Sequence, residues 1–194
     1  MENINEIIEK LGLETNLALE EIPNIDLYMD QVIQLFENKF SESRRNPEEK
    51  VLTKTMINNY AKGKLVFPIH NKKYSKEHLI LMSIIYQLKG ALSINDIKIT
   101  LDGINKKVVK EDINLESFYN GYLKLTNKNV SDFKEDIDSR INMVKDESLE
   151  DGNSPDLEHV LMISSLVHMS NLYRRVAEKL VDEIVVEKEV KRQR

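Results

Sequence analysis

The sequence has no cysteine, and its 194 residues include only 6 glycines and 4 prolines. Without cysteine, a disulfide framework, a zinc site with thiolate ligands and a cysteine nucleophile are all excluded. The scarcity of glycine and proline, in a chain that is 41% hydrophobic and 31% charged, favours a globular protein built mostly of helices. The expected fold class is therefore mainly α.

Sequence motifs of the common enzyme classes are missing as well. Neither GxxxxGK[ST] nor GxGxxG occurs, so no glycine loop that cradles phosphate is predicted, and there is no GxSxG nucleophile motif. The four histidines lack HExxH spacing, and His159 and His168 are nine residues apart, which does not place them on one helix face. We therefore expect no enzymatic activity, no cofactor and no metal site. An enzyme would instead contain a pocket of buried carboxylates with perturbed pKa values.

Long apolar runs are also absent. No stretch approaches the roughly 20 apolar residues that a membrane-spanning helix needs. The first residues, MENINEIIEKLGLE, are acidic and amphipathic, which is not the pattern of a signal peptide. The expected location is the cytoplasm, with no membrane partner.

Charge is distributed unevenly along the chain, whose net charge is −5. Residues 1–50 carry 5 basic and 12 acidic side chains, residues 51–103 carry 8 and 3, and residues 104–194 carry 15 and 18. From Lys50 to Lys76 there are seven lysines and no Asp or Glu. A basic segment between acidic flanks is typical of a surface that contacts phosphates. The alternative interpretation is a lysine-rich face that only contacts solvent.

Hydrophobic periodicity and capping residues predict eight helices. Thr53, Ser75 and Ser93 are the expected amino-terminal caps of three of them, and Ser93 with Asp96 has the spacing of a capping box. The predicted helices span residues 1–13, 26–40, 54–61, 76–89, 94–103, 115–125, 131–149 and 155 to about 190.

The segment between the third and fourth helices has the pattern of a short hairpin. Leu65–Phe67 and Lys73–Tyr74 are the predicted extended arms, and residues 68–72 form the connection between them. Gly63 fits the end of the preceding helix. A helix followed by a lysine-tipped hairpin predicts a helix-turn-helix with a wing.

The last predicted helix, residues 155–190, follows the break Asp151–Pro155, where Ser154 is the expected cap. Hydrophobic residues recur along it at spacings of three and four, which is typical of a coiled-coil seam. The helix is therefore expected either to hold a homodimer together or to lie buried in a bundle. The seam residues are His159, Met162, Leu166, Met169, Tyr173, Val176 and Leu180.

Three runs in the sequence resemble those of an uncharacterised bacterial family known as domain of unknown function 1836. They are LYMDQV at residues 27–32, LTKTMINNY at 52–60 and KKYSKEHLILMSIIYQLK at 72–89. The resemblance covers roughly residues 22–150. It is specific in sequence and implies no function.

Residues 54–101 also resemble, more distantly, the DNA-binding module of MerR-type regulators. Asn59-Tyr60 matches that family's tyrosine pair, and Leu65-Val66 matches its apolar pair before a proline, here Pro68. Lys72 and Lys73 match the basic wing, Tyr74-Ser75 the start of the next helix, and Ser93–Ile97 the start of the one after. The resemblance implies a winged helix-turn-helix that binds DNA as a dimer held by a long carboxy-terminal helix.

The sequence thus predicts a DNA-binding transcriptional regulator of the MerR-like winged helix-turn-helix type. The alternative is a protein-interaction module that uses the same fold without binding DNA. The expected division is an amino-terminal helix and connector at 1–24, the winged helix-turn-helix at 25–104 and a helical carboxy-terminal region, either a bundle or a dimerisation helix, at 105–194. An effector is not predicted. The residues expected to contact DNA are Lys54, Asn58, Asn59, Tyr60, Lys62, Lys64, Lys72, Lys73 and Lys76.

Overall fold

The computed structural model describes residues 4–149 and 155–192, and these are mainly helical with one small antiparallel sheet. No helix within these ranges is both long enough and apolar enough to cross a membrane. The strands are β1 (Leu27–Tyr28) and β2 (Lys73–Tyr74). The helices are α1 (Ile4–Lys10), α2 (Met29–Phe40), α3 (Lys54–Lys62), α4 (Lys76–Leu88), α5 (Ile94–Val109), α6 (Leu115–Leu149) and α7 (Pro155–Arg192).

The chain divides into two compact units. The larger unit comprises residues 15–123 and, in the described part of the chain, 178–192. The smaller unit comprises residues 4–14, 124–149 and 155–177. Helices α6 and α7 each begin in one unit and end in the other.

Helix α4 lies at the centre of the larger unit. Leu79, Ile80, Leu81 and Met82 are consecutive and each is at most 1% exposed, so this helix is apolar on every side. A helix of that kind is stable only where other elements surround it. The core around it contains side chains from β1, α2, α3, α5 and the start of α6, including Phe36, which lies 5.8 Å from Phe40 between ring centres.

A buried hydroxyl network ties three distant segments of the larger unit together. The hydroxyl of Tyr119 on α6 donates to the carbonyl of Leu17 at 2.7 Å and lies 2.9 Å from the hydroxyl of Ser83 on α4. Burial raises the pKa of Tyr119 to about 12. The phenol is therefore neutral at any physiological pH and serves as a hydrogen-bonding group.

The small sheet corrects two predictions. Leu27 pairs with Tyr74 and Tyr28 with Lys73, so the helix predicted from residue 26 begins at Met29 and its first residues are extended. The predicted pairing of Leu65–Phe67 with Lys73–Tyr74 is wrong. Leu65 and Val66 are adjacent and both buried, which is incompatible with the alternating exposure of a hairpin strand.

Helix α5 is longer than the sequence suggested, because it runs to Val109 through a segment predicted to be a connector. The Ser93 hydroxyl accepts from the amide of Asp96 at 3.2 Å, which confirms the predicted cap. Ile97 and Leu101 are buried, whereas Ile94 is about half exposed. The carboxylate of Asp102 binds both Lys106 and, from the end of α7, Lys188, each at 2.8 Å.

The smaller unit is built from long helices around few buried side chains. Helix α6 is continuous from Leu115 to Leu149, so the break predicted between residues 125 and 131 does not occur. The buried residues of its core are Ile8, Ile137, Val144 and Met162. The amino-terminal helix predicted over residues 1–13 is observed from Ile4 to Lys10, with residues 1–3 outside the described range.

Helix α7 begins at Pro155, as predicted, while the predicted break and cap at residues 151–154 lie outside the described residues. Of the predicted seam residues, Met162 is buried and Leu166 packs against the same core, whereas Tyr173, Val176 and Leu180 are all more than half exposed. Near the other end of the helix Val181 is buried instead. The side of α7 that is buried therefore changes along its length.

Candidate nucleic-acid interface

Helix α3 presents the side chains expected to contact DNA on the face opposite its core side. The Thr53 hydroxyl accepts from the amide of Met56 at 3.1 Å, which caps the helix. Ile57 and Tyr60 are buried. Residues four apart share a helix face, and Lys54, Asn58 and Lys62 are all exposed, as is Asn59 beside them. From Lys54 to Lys62 this face is about 12 Å long.

Tyr60 differs from the other residues predicted to contact DNA. It belongs to the hydrophobic core and is 4% exposed, and burial raises the pKa of its phenol. Its side chain is turned away from the exposed face of α3, because residues 60 and 58 lie roughly 200° apart around a helix. Tyr60 therefore positions α3 on the core and is removed from the set of candidate contacts.

The end of α3 is held by a Schellman motif. The amide of Leu65 donates to the carbonyl of Tyr60 at 2.9 Å and that of Lys64 to the carbonyl of Ala61 at 3.1 Å. The left-handed residue is Lys64, with φ of 58°, and glycine precedes it at position 63. A β-carbon on Gly63 would lie 2.8 Å from a methyl of Leu65 and 2.9 Å from the carbonyl of Asn59, which explains the glycine. The motif directs the exposed Lys64 side chain away from the helix axis.

A tight turn carries the next lysines. Asn71 and Lys72 both have positive φ, 51° and 58°, and the amide of Lys73 donates to the carbonyl of His70 at 2.9 Å. Positive φ at both central residues is the signature of a type I′ turn. The turn lies where the tip of the hairpin was predicted and is closed by the pairing of His70 with Lys73, not by the predicted arms. Lys72 lies at its tip and is exposed.

The start of α2 brings this turn close to α3. The ammonium of Lys73 lies 5.1 Å from the centre of the Tyr28 ring, while two residues further along the chain the carboxylate of Asp30 binds Lys54 at 2.8 Å. The start of α2 therefore contacts the turn through Tyr28 and the amino end of α3 through Asp30. We use the name basic surface for the exposed α3 residues Lys54, Asn58, Asn59 and Lys62 together with Lys64, Lys72 and Lys73.

Arg44 holds the connection between α2 and α3 in place. Its guanidinium donates to the carbonyls of Ser41 at 2.8 Å and Glu49 at 2.6 Å and to the carboxylate of Glu37 at 2.6 Å. The other oxygen of Glu37 accepts from the amide of Val51 at 3.3 Å. These contacts fix the polar connection between α2 and α3 against α2. They therefore also fix the position of α3.

Two buried polar residues, missed by the sequence analysis, fix the chain on either side of the turn. Nδ1 of His78 accepts from the amide of Ser75 at 3.1 Å, so the ring proton is on Nε2, which donates to the carbonyl of Phe67 at 3.3 Å. Burial lowers the pKa of His78, although Glu77 and Asp26 act in the opposite direction. The side-chain amide of Asn105 on α5 donates to the backbone carbonyl of Leu65 at 2.9 Å.

The lysines of this region differ in what they already bind. Lys54 is paired with Asp30, and Lys76 lies 2.9 Å from Glu116 and 3.3 Å from the side-chain oxygen of Asn24. Within the residues that the structure describes, Lys62, Lys64 and Lys72 are exposed and make no ion pair. These three are the cations most readily available to an anionic partner.

The described residues do not contain the side-chain clusters that metal binding or acid–base catalysis would need. No group of three or more His, Asp or Glu side chains that could hold a metal ion occurs in residues 4–149 and 155–192. In these ranges the buried polar residues are His78, Ser83 and Asn105, so no carboxylate is buried there. Lowered carboxyl pKa values occur at Glu14, Glu21 and Asp102, and each of these carboxylates binds a lysine.

Fold and site together define a mainly helical protein with an exposed basic helix and turn on its larger unit. A family model described as a domain of unknown function (DUF1836) matches residues 17–122, which is more than half of the chain. The chain belongs to this family. The matched segment contains the basic surface and nearly all of the larger unit's core. No curated protein and no solved structure matched the chain.

Proposed function

We propose that the basic surface binds DNA and that the protein is a non-enzymatic transcriptional regulator. The observation that carries the proposal is the set of exposed lysines without ion pairs, Lys62, Lys64 and Lys72, in a segment of the chain that contains no acidic residue from Lys50 to Lys76. Phosphate contacts by lysine supply much of the affinity of DNA-binding proteins. Surfaces that serve only solubility usually mix both signs of charge.

In this proposal α3 lies in the major groove. An α-helix with its side chains is about 10–12 Å across, which fits a groove about 12 Å wide. The amides of Asn58 and Asn59 would contact base edges, since asparagine hydrogen-bonds adenine with two atoms. The lysines at the end of α3 and on the turn would contact phosphates, which sets position without reading sequence.

The arrangement supports the winged helix-turn-helix interpretation in its main parts. Helices α2 and α3 are joined by the connection that Arg44 fixes, and the type I′ turn at Asn71–Lys72 takes the place of a wing. Lys54 and Lys76 join the interface only when DNA replaces their carboxylate partners. Exposed ion pairs are weak, about 0–1 kcal/mol, so this exchange is inexpensive for Lys54.

The experiment is fluorescence-anisotropy binding to duplex of random sequence across a salt series. With six lysines on phosphates, log K should fall against log salt with a slope of about −5. The variant Lys62→Gln, Lys64→Asn, Lys72→Asn removes three charges, and asparagine tolerates the positive φ at positions 64 and 72. We expect its slope to be shallower by about 3.

A matched control removes three charges from α5 and its carboxy-terminal cap, in the same unit but outside the basic surface. Lys98→Gln, Lys107→Gln, Lys110→Gln changes exposed side chains without ion pairs in the described structure. It should keep the wild-type slope. Equal losses in both variants, or no binding by wild type at low salt, would refute the proposal.

A second candidate function is a protein-interaction module. It is favoured by the carboxylates that already bind this region, Asp30 on Lys54 and Glu116 on Lys76, because they show that these lysines accept acidic groups of a protein. A wild-type protein that ignores duplex DNA but binds an immobilised acidic peptide, with loss in the Lys62, Lys64 and Lys72 variant alone, would favour this function.

A further inference from the structure

Helix α7 contains a stretch that carries no formal charge. From His159 to Tyr173 there are fifteen residues without Asp, Glu, Lys or Arg, in a chain that is 31% charged. The stretch lies wholly within the smaller unit. Exposed helices of globular proteins normally alternate an apolar stripe with a charged face, so the composition of this stretch is that of a helix covered on more than one side.

The structure shows that one of these sides is uncovered. Met162 is buried in the core of the smaller unit, whereas Val160, Ile163 and Val167 are 59%, 62% and 54% exposed. Met162 lies roughly 160° around the helix from Val160, so the two apolar faces are nearly opposite. The exposed three follow spacings of three and four, the pattern of side chains that pack against another helix.

The smaller unit also buries little by itself. Its core cluster contains four buried hydrophobic side chains among the described residues. Eight large apolar side chains of α7 in this unit are at least 40% exposed and lie around much of the helix; three of them, Val160, Ile163 and Val167, share one face. The eight side chains are Leu157, Val160, Leu161, Ile163, Val167, Leu172, Tyr173 and Val176.

We propose that the exposed face of residues 159–173 of α7, centred on Val160, Ile163 and Val167, packs against the same face of a second copy of this chain. A two-fold interface places one surface against itself. Like charges brought together in this way repel, so a charge-free surface is suited to self-pairing, whereas a charged partner would find nothing complementary on it. The inference does not depend on DNA binding.

Sedimentation velocity of the full chain tests this proposal. At micromolar concentration, the mass of the wild-type protein in this experiment should be twice the 22.6 kDa of one chain. Ile163→Glu would bury an unpaired carboxylate in the interface and should weaken self-association roughly 100-fold or more. Val186→Glu is the matched control, because Val186 is similarly exposed on the same helix but outside the charge-free stretch. Its mass should remain that of the dimer.

Cysteine cross-linking checks the same face without relying on a destabilising change. The chain has no cysteine, so Val160→Cys, Ile163→Cys and Val167→Cys each introduce a single thiol. A disulfide forms only where the two α-carbons come within about 7 Å. We expect covalent dimers from at least one of the three and none from Val186→Cys.

Three results would overturn the proposal. One is a helical wild-type chain, by circular dichroism, that remains monomeric at roughly 100 μM, a concentration at which even a weak dimer is populated. Another is an Ile163→Glu variant with unchanged dimer affinity. The third is cross-linking at Val186→Cys alone, which would place the interface elsewhere on α7.

Discussion

The two units of this protein are both mainly helical but have very different interiors. In the described residues, the larger unit has 24 buried hydrophobic side chains in one cluster, and the smaller unit has four. In the larger unit, other elements pack around α4 on every side, whereas in the smaller unit much of α7 is exposed. Helix formation by itself contributes little stability, because most of the stability of a helix in a protein comes from packing.

The comparison teaches that the two units depend on different sources of stability. The larger unit has a single large cluster of buried hydrophobic side chains, and burial of this kind is the main favourable contribution to folding. The smaller unit has long helices with few partners, and the proposed second copy would supply the burial it lacks. Variants that act on one unit alone therefore separate the two sources.

The largest expected effect comes from emptying the core of the larger unit. Phe36 is fully buried, and Phe36→Ala should reduce the free energy of unfolding by about 3–5 kcal/mol, through lost transfer energy and the cavity left behind. Native-state amide hydrogen exchange should show the loss in α3, α4 and α5 and much less around Ile137 in α6.

Ile137→Ala is the reciprocal variant. Ile137 is 1% exposed in the smaller unit, so its loss should accelerate exchange around residues 137–144 and leave α4 protected. Its cost should fall near the lower end of the 2–5 kcal/mol range, since a thinly packed site collapses more easily. Uniform acceleration over both units in either variant would show that they unfold as one.

An intermediate effect is expected from the buried hydroxyl network. Tyr119→Phe keeps the ring but leaves the Leu17 carbonyl and the Ser83 hydroxyl without this partner. Stranding buried polar groups costs about 1–3 kcal/mol. Urea denaturation should show that loss for the larger unit, whereas Tyr122→Phe, in a neighbouring but only half-buried ring, should cost less. Equal costs would mean that the network contributes nothing specific.

The smallest effect should follow from acidification. Burial lowers the pKa of His78 in the folded chain, so the unfolded chain, with an ordinary histidine pKa of about 6.5, binds the proton more readily. This contribution to stability is complete above about pH 6.5 and is lost as the pH falls through that value towards the lower pKa of the folded state.

His78→Gln isolates this effect. Glutamine at this position can still accept from the Ser75 amide, as in a capping box, but does not titrate. Urea denaturation of the larger unit at pH 7.5 and pH 5.5 should therefore show a greater loss for wild type than for the variant. The same pH dependence in both proteins would assign acid sensitivity to other groups.

Local signals in the sequence predicted much of the larger unit. The caps at Thr53 and Ser93 are present, and α4 ends one residue before its predicted end. These features depend on residues within three or four positions of one another, which sequence patterns capture well. An overlooked signal would have extended α5: Lys106 is four residues from Asp102, and the two form an ion pair.

The remaining differences depend on distant contacts. Leu27 and Tyr28 fit a helical pattern, but pairing with Tyr74 and Lys73, more than forty residues away, makes them extended. The break predicted between residues 125 and 131 does not occur, and Gly121 is accommodated in the continuous helix because one glycine costs only about 1 kcal/mol in a helix interior. The side of α7 that is buried changes along its length, and a single hydrophobic period does not reveal such a change.

The sequence indicated most of the exposed residues of the candidate interface but not the contacts that hold them in position. The lysines and asparagines of α3 and the turn are exposed, whereas Tyr60 serves the core. The groups that position this surface, Arg44, His78 and Asn105, were not identified, because each acts through hydrogen bonds to backbone carbonyls. Such contacts leave no periodic pattern in a sequence.

The ion pair between Lys188 and Asp102 also has a consequence for the order in which the protein matures. Synthesis proceeds at about 5–20 residues per second, so Lys188 reaches the growing chain roughly 3–13 s after Leu123. During that interval Asp102 and the carbonyl of Ile99 lack Lys188, and residues 124–177 of the smaller unit are translated. The end of α7 can therefore dock on the rest of the larger unit only after this delay. The rate of translation thus sets when the packing of the larger unit is completed.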